Sequence, residues 1–138
     1  MSQENVEIVR RDIAARSARD WAALSEIWHP EIELEVIAKL ELVAGARRFR
    51  GLAEIRPFFD SLSDLYSEYR VEANEIIDAG DQVVTVERIS GRGLKGSDAE
   101  AWVHEDLFRL IRFEEGKIRR VTEYPSHTEA LEAAGLSG

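Results

Sequence analysis

Two charged residues lie in strand-like segments in which Val and Ile predominate, namely Arg88 and Glu123. If both side chains face a pocket, each must be paired, because an isolated buried charge costs several kcal/mol. We therefore expect an Arg88–Glu123 ion pair with a hydrogen bond from Ser90 or Tyr124, and one interpretation is that this pair orients a substrate or transfers a proton. The alternatives are a purely structural ion pair, or a location of both residues on the exposed face of the sheet.

Asp12 is the second candidate for chemistry. It lies one helical turn after Ile8 and Val9 and therefore borders the apolar stripe of a predicted helix. It also precedes Arg16 by four residues, a spacing at which opposite charges pair on an exposed helix face. The spacing favours a surface ion pair with Arg16, and a place beside a pocket is the alternative.

Aromatic side chains, together with the hydroxyl of Ser90, are candidates for ligand contact. The aromatic candidates are Trp28, Phe58, Phe59, Tyr66 and Trp102. Such residues could line a pocket for a planar or polycyclic ligand. Aromatic residues at helical spacing more often form plain core, so we expect that role for at least half of them.

Other sequence patterns argue against a dinucleotide site, a zinc site and cysteine chemistry. Residues 91–96 spell GxGxxG, but the short sequence after them has no room for the parallel sheet of a dinucleotide fold, so we interpret them as a glycine-rich loop between antiparallel strands. His104 and Glu105 begin an HExxH-like pattern, but Phe108 stands where the second His is needed. The chain contains no Cys, which excludes disulfides and thiolate chemistry. We expect no metal and no cofactor.

Length and charge limit the remaining classes of protein. The chain has 138 residues, with 27 acidic and 18 basic side chains and a net charge of −9. This balance argues against nucleic acid or a membrane surface as partner, because both are negatively charged and bind positively charged protein surfaces. No apolar run approaches a membrane span and no leader is apparent. We expect a single domain over residues 1–138, located in the cytoplasm.

The order of predicted elements is helices first, then mostly antiparallel strands, then a short helix, which is an α+β layout. In chain order, the predictions are helices that hold Val6–Ile13, Trp21–Trp28 and Ile55–Leu65, a strand Ile32–Val36, a loop within Ala38–Arg50, hairpins over Val71–Ile89 and Ala101–Tyr124, and a helix capped by Ser126. Pro57 predicts a kink in the third helix or a later start, because proline lacks the backbone donor.

Several stretches resemble SnoaL-like proteins. They are the opening segments Asn5–Ile13, Asp20–Leu24 and His29–Glu33, the middle segment Phe49–Phe59, and the later segments Phe113–Ile118 and Glu129–Leu136. The resemblance covers nearly the whole chain and implies the nuclear-transport-factor-two-like fold. This fold is a curved antiparallel sheet wrapped over N-terminal helices, a cone-shaped barrel with a pocket, and is usually a homodimer. It also implies a strand for residues 99–113, whose pattern fits both strand and helix.

The chemistry of the ketosteroid isomerases, which share this fold, does not carry over. Their mechanism needs a carboxylate base with a Tyr and a protonated Asp as hydrogen-bond donors. The matching positions fall near Val36, Asp12 and Arg109, so none of the three residues is retained.

The limonene-epoxide hydrolases are a second comparison within the same fold. They use an Arg and an Asp two residues apart on one strand, with a second Asp near the end of the chain. Arg88 and Glu123 match two of these positions, but Ser90 stands where a carboxylate is required. A serine cannot hold water as a strong base does.

The resemblance therefore implies a small-molecule pocket protein similar to SnoaL-like polyketide cyclases, with a small hydrophobic or polycyclic ligand. Arg88, Glu123 and Asp12 are its candidate catalytic residues for cofactor-independent cyclisation, isomerisation, dehydration or hydrolysis. Whether it is an enzyme stays open, because the catalytic residues of these relatives are not fully retained. The alternative is a non-catalytic module that binds a hydrophobic ligand or serves as a dimeric scaffold. A carboxyl with a raised pKa in a closed pocket would favour the enzyme.

Overall fold

The computed structural model describes residues 2–37, 47–94 and 102–136, which form four helices and six strands. In chain order these are α1 (Ser2–Ala18), α2 (Trp21–Ile27), β1 (Trp28–Val36), β2 (Arg47–Arg50), α3 (Gly51–Ser63), β3 (Tyr66–Asp78), β4 (Gln82–Leu94), β5 (Val103–Glu114), β6 (Lys117–Tyr124) and α4 (His127–Ala133). The α+β layout and the strand prediction for the segment before Phe113 are confirmed. No helix among these residues is long and apolar enough to cross a membrane.

The six strands form one curved, unclosed sheet in the order β2-β1-β6-β5-β4-β3. Neighbouring strands are antiparallel, except that β1 and β6 are parallel, with Leu34 opposite Val121. The register shifts between Ala73 and Glu75 in β3 and between Arg112 and Phe113 in β5. Shifts of this kind bend a strand and increase its local twist, which suits a sheet that curves around helices.

The two faces of the sheet pack against different helices. On the inner face, helices α1, α2 and α3 cover apolar side chains such as Val83 and Ile111. On the outer face, Ala130 of α4 packs against Val84 and Leu110. Side chains alternate along a strand, so the neighbours Val83 and Val84 belong to opposite faces.

Local hydrogen bonds at helix ends follow the sequence. Asp20 caps α2, because its Oδ1 accepts a hydrogen bond of 3.1 Å from the Ala23 backbone N–H. Ser126 caps α4 in the same way, with its Oγ accepting from the Glu129 N–H at 3.2 Å. Both caps confirm the predicted starts of these helices.

Two predictions about the middle of the chain need correction. Helix α3 begins at Gly51, and Pro57 lies inside it, so the later start is wrong. The N-terminal residues of the helix are set by Gly51, whose φ of +74° suits glycine, and by Glu54, whose carboxylate accepts from the Arg50 N–H. The loop predicted within Ala38–Arg50 does not include Arg47–Arg50, which form edge strand β2, and residues 38–46 lie outside the described residues, so a loop there stays a prediction.

The glycine motif also differs from the prediction, because Gly91 and Gly93 belong to strand β4 and not to a loop. Gly96 lies outside the described residues. A Cβ on Gly91 would lie only 2.6 Å from the Tyr66 ring, so the absence of a side chain lets this ring pack on β4. Gly93 has a φ of +69°, a conformation that favours glycine. The glycines thus shape the β3–β4 pairing.

Candidate functional site

Five charged side chains meet inside the fold, between α1 and the inner face of the sheet. They are at most 7% exposed. We name them the buried ion cluster: Asp12 and Arg16 from α1, Glu87 from β4, Arg109 from β5 and Glu123 from β6. Charged residues are rarely buried to this degree unless they are paired, so their contacts decide what the cluster can do.

Strand register brings the sheet residues of the cluster together. Arg109 lies opposite Thr85 on β4 and opposite Glu123 on β6, so these residues form a row across three strands. Glu87 follows Thr85 by two positions and therefore points to the same face. The hydroxyl of Thr85 donates to Glu87 Oε2 at 2.7 Å.

Glu87 is the most strongly bound carboxylate of the cluster. It accepts from Arg16 Nη2 at 2.7 Å and from Arg109 Nη1 at 3.3 Å, in addition to the Thr85 hydroxyl. Burial by itself would raise the pKa of Glu87, but the charges of Arg16 and Arg109 outweigh it and lower this pKa to about 2. Glu87 is therefore ionised across the physiological range.

Asp12 pairs with Arg16, but the pair is not on the surface as the sequence suggested. Arg16 Nε donates to Asp12 Oδ2 at 2.9 Å, and the two side chains are 3% exposed or less. Trp28 Nε1 donates to the other carboxylate oxygen at 2.7 Å. The expectation of exposure was wrong because this face of α1 packs against the sheet, where Glu87 supplies a second partner for Arg16.

Glu123 is the least satisfied acid of the cluster. Its Oε2 lies 3.4 Å from Arg109 Nε, but this nitrogen has no hydrogen-bond partner among the described residues. The cluster contains three carboxyl groups and only two guanidinium groups, so one acid is in excess. Burial raises the pKa of Glu123, against the attraction of Arg109 and with added repulsion from Glu87. The fold therefore favours the protonated form of Glu123 more than water does.

The predicted Arg88–Glu123 pair is wrong. Arg88 is next to Glu87 in β4 and points to the outer face, where its Nε donates to Asp106 Oδ1 at 3.2 Å. Its side chain is 43% exposed. Glu123 instead meets Arg109 on the inner face. The arginine that pairs with Glu123 is therefore Arg109 in β5, not Arg88 in β4.

Ser90 and Trp102 lie away from the buried ion cluster. The Ser90 hydroxyl is 2.9 Å from His104 Nδ1, directly across the β4–β5 pairing, and does not bond to Glu123. Tyr124 packs with the apolar residues of the outer face. Arg70 lies 4.6 Å above the Trp102 ring. Contact of Ser90 or Trp102 with a ligand in the interior is not supported by these positions.

The remaining aromatic candidates divide between core and surface. Trp28 and Phe59 are buried and pack around Trp21, with ring centres 6.2 Å and 6.0 Å from the Trp21 ring. Phe58 stacks on Phe49 at 4.5 Å. These contacts agree with the expected core role of about half of the aromatic residues, and direct ligand contact stays a prediction.

A recess opens on the surface between the end of α3 and strands β3 and β5. Its lining includes Leu62, Leu65, Tyr66, Tyr69, Ile89, Gly91 and Val103, with His104 and Glu105 at its side. The Tyr69 ring is half-buried there, while its hydroxyl is buried without a hydrogen-bond partner in the described part of the chain. Burial raises the pKa of Tyr69 to about 12, in the field of Arg16, Glu123 and Arg109. The hydroxyl is therefore neutral.

One group of side chains with metal-binding atoms fits hydrogen bonding better than metal binding. One ligand atom each from His29, Glu114 and Glu115 lies within 4.8 Å of the others. His29 Nδ1 accepts a hydrogen bond from the Glu31 N–H, which leaves the proton of the neutral ring on Nε2. This nitrogen lies 3.1 Å from Glu114 and thus acts as a donor, whereas a metal needs its lone pair.

The sequence missed Arg16, Glu87 and Arg109 as a connected group, and it missed Tyr69. The only signal for Glu87 was its position beside Arg88 in a segment with two possible inner faces. The only signal for Arg109 was that it falls near the position at which ketosteroid isomerases have an Asp. Asp12 and Glu123, which the sequence did single out, both lie in the cluster.

Comparison with known proteins places the chain in a wider group. The model of the SnoaL-like domain matches residues 9–121. No curated protein matches the sequence. The fold resembles TerC co-crystallised with polyporic acid, at 19% identity and a TM-score of 0.71 over 96% of this chain and 98% of that one.

Two further solved structures have the same fold. A candidate polyketide cyclase from Sinorhizobium meliloti has 24% identity and a TM-score of 0.65, over 90% of this chain and 99% of that one. A protein with a ketosteroid isomerase-like fold from Catenulispora acidiphila, in complex with trimethylamine, has 20% identity and a TM-score of 0.68, over 94% and 93% of the two chains. At these identities the similarities show the fold.

Proposed function

The chain belongs to the SnoaL-like domain family, and from that premise we propose that it binds a small hydrophobic molecule inside the fold and performs cofactor-independent acid–base chemistry on it, with Glu123 as the proton donor. The observation that carries this proposal is the surplus buried carboxyl of the ion cluster, Glu123. The complexes of two structural neighbours with polyporic acid and with trimethylamine are consistent with small-molecule binding in this fold.

Glu123 suits a general acid because its protonated form is favoured inside the fold. With Glu123 neutral, two guanidinium groups balance the carboxylates of Asp12 and Glu87. A carboxylic acid whose pKa is raised keeps its proton to a higher pH than a free one and can still release it to a substrate. Its conjugate base would be stabilised by Arg109, whose Nε lies 3.4 Å away.

The other members of the cluster hold Arg109 and Arg16 in place. Glu87 bonds to both arginines, so it fixes their spacing. Asp12 has both oxygens engaged, one by Arg16 and one by Trp28. We therefore assign Asp12 a positioning role. Arg88 has no part in the proposed chemistry, because it lies on the outer face.

The size of the described recess bears on the ligand. Its volume is about 80 Å³. One water occupies about 10–15 Å³ by this measure, so the recess holds about five to eight waters. This favours a ligand with a single ring over a polycyclic one.

The single domain, the cytoplasmic location and the homodimer remain predictions. Sedimentation at micromolar concentration tests the homodimer, since a monomer alone would contradict it.

The proposed function is tested by Glu123→Gln, which keeps the shape of the side chain and removes its proton. In protein labelled with ¹³C at glutamate carboxyls, we expect Glu123 to titrate above the ordinary pKa of about 4.3. Since the folded state prefers the proton, the free energy of unfolding should fall as pH rises from about 4.3 through that raised pKa, and Glu123→Gln should abolish this fall.

Activity provides the second part of this test. Wild type, Glu123→Gln and the control Asp106→Asn would be assayed against a panel of single-ring ketones, epoxides and hydroxyketones for isomerisation, hydrolysis and dehydration. Glu123→Gln should abolish any turnover that the wild type and Asp106→Asn share. An ordinary or lowered pKa of Glu123, or equal turnover in all three proteins, would contradict the proposal.

The second candidate function is a non-catalytic module that binds a hydrophobic ligand. The observation that favours it is the internal saturation of Asp12, Arg16 and Glu87, which bond to one another and are 3% exposed or less. In that case the cluster is structural, and Glu123→Gln would leave ligand binding unchanged.

A further inference from the structure

The exposed large hydrophobic side chains of the described residues gather at one place. They are Leu62, Leu65 and Val103, with 38%, 47% and 55% of their surface exposed. All three line the recess between α3, β3 and β5. Apolar side chains that remain exposed together, rather than scattered singly, are typical of a surface that binds something.

Tyr69 stands between this recess and the buried ion cluster. Its ring is part of the recess wall, and its hydroxyl is buried on the inner side. The charges that act on the hydroxyl belong to Arg16, Glu123, Arg109 and Glu87. A buried hydroxyl without a partner is unfavourable, so this orientation carries a penalty that a rotation or a bound polar group would relieve.

We propose that this recess is the entrance and first binding site for an uncharged hydrophobic molecule with a single ring, and that the Tyr69 side chain separates it from the buried ion cluster. The inference rests on the proposed binding of a small molecule inside the fold. It does not require Glu123 to transfer a proton.

The residues that line the recess indicate which ligand charge it accepts. No Lys or Arg lines it among residues 2–37, 47–94 and 102–136, so these residues offer no cation to a carboxylate or phosphate. His104 already contacts the Ser90 hydroxyl with its Nδ1. Ile89 and the three exposed side chains supply an apolar surface, and the volume matches one six-membered ring.

The groove between α1 and β3 provides a matched comparison. It is lined by Ile13, Val71, Ala73 and Ile76, with Arg10 beside it, and is also largely apolar. Its only hydroxyl, on Ser17, already accepts from the Val71 N–H at 3.0 Å. Thus it offers no unpartnered group that connects it to the ion cluster, and we use it as the control surface.

The first experiment uses benzyl alcohol as the uncharged probe and benzoate as its charged counterpart. Both are titrated into protein with labelled Leu, Val and Ile methyl groups and followed by NMR. Benzyl alcohol should shift the methyl signals of Leu62, Leu65 and Val103 and bind at least tenfold more tightly than benzoate. Leu65→Glu, at an exposed position, should weaken its binding at least tenfold, and Ala73→Glu in the control groove should not.

The second experiment tests the separating role of Tyr69 with two variants. Tyr69→Leu removes most of the partition and keeps an apolar side chain, and Tyr69→Phe keeps the ring. Tyr69→Leu should admit water and bring the pKa of Glu123 closer to its ordinary value, and benzyl alcohol should show contacts with Thr85. Tyr69→Phe should leave the ring position and the benzyl alcohol affinity within twofold of wild type.

Three results would overturn this inference. They are methyl shifts confined to the α1–β3 groove, equal weakening by Leu65→Glu and Ala73→Glu, or a Glu123 pKa that is raised in wild type and raised equally in Tyr69→Leu. An ordinary Glu123 pKa in wild type, with benzyl alcohol still bound at the recess, would instead contradict only the proposed chemistry.

Discussion

Glu87 and Arg88 are neighbours in one strand, and each forms an ion pair, but on opposite faces of the sheet. Glu87 is fully buried and accepts hydrogen bonds from two arginines and a threonine. Arg88 pairs with Asp106 on the outer face, where the two side chains are 43% and 41% exposed. The comparison teaches that the position of an ion pair, more than the residue types in it, decides its energy and its use.

The two faces differ because water screens one and not the other. An exposed pair gains about 0–1 kcal/mol, since solvent competes for both charges. Inside the fold, removal of one partner leaves the other charge without compensation and costs about 3–5 kcal/mol. The inner face therefore holds carboxyl groups, Glu87 and Glu123, whose pKa values are shifted in opposite directions by their surroundings, and shifted pKa values are typical of acid–base sites.

The largest expected effect comes from Glu87→Gln. We expect a loss of about 3–5 kcal/mol in the free energy of unfolding, because Arg16 and Arg109 lose their shared carboxylate. The matched substitution on the other face, Arg88→Gln, should cost less than about 1 kcal/mol. Urea denaturation at pH 7 measures both. Similar losses for the two variants would mean that burial does not separate the faces as argued.

Acid should reveal the same difference through the pH dependence of stability. The pKa of Glu87 is lowered to about 2 in the folded protein, so the stability it provides is present above the unfolded pKa of about 4.3 and is lost as pH falls towards 2. The contribution is about 3 kcal/mol. Urea midpoints between pH 2 and 7 test this, and Glu87→Gln should flatten the profile in that range. An unchanged slope in the variant would assign the acid sensitivity to other carboxylates.

The smallest effect concerns the outer pair. A double-mutant cycle with Arg88→Gln and Asp106→Asn should give a coupling energy of about 0.2–1 kcal/mol. The coupling should decrease further in 1 M salt, where the Debye length is about 3 Å. A coupling above about 2 kcal/mol would place the outer pair in the same class as the inner one and remove the basis of the comparison.

The sequence predicts the fold well because its signals are local. The cap residues Asp20 and Ser126 act within three positions of themselves, and the strand alternation from Ile32 to Val36 is readable without partners. The resemblance to SnoaL-like proteins adds the order of these elements and the curvature of the sheet.

The site is less predictable because it depends on which face a residue occupies. The run Val83-Val84-Thr85-Val86 is apolar at nearly every position, so it contains no alternation that could show whether Glu87 or Arg88 points inwards. Likewise, the spacing of Asp12 and Arg16 predicts the pair but not its burial, since the covering carboxylate lies 71 positions away from Arg16. Register and packing decide both questions.

The parallel pairing of β1 with β6 has a consequence for the order of folding events. Val36 lies opposite Glu123 in this pairing, so a strand near the beginning of the chain cannot form all of its hydrogen bonds until a strand near the end has been made. During synthesis, Asp12 and Arg16 leave the ribosome long before the three strands that complete their surroundings, and they stay hydrated until then. Pairings of such long range form late and slowly. The ion cluster is therefore complete only when β6 is in place, because Glu123 comes from that strand.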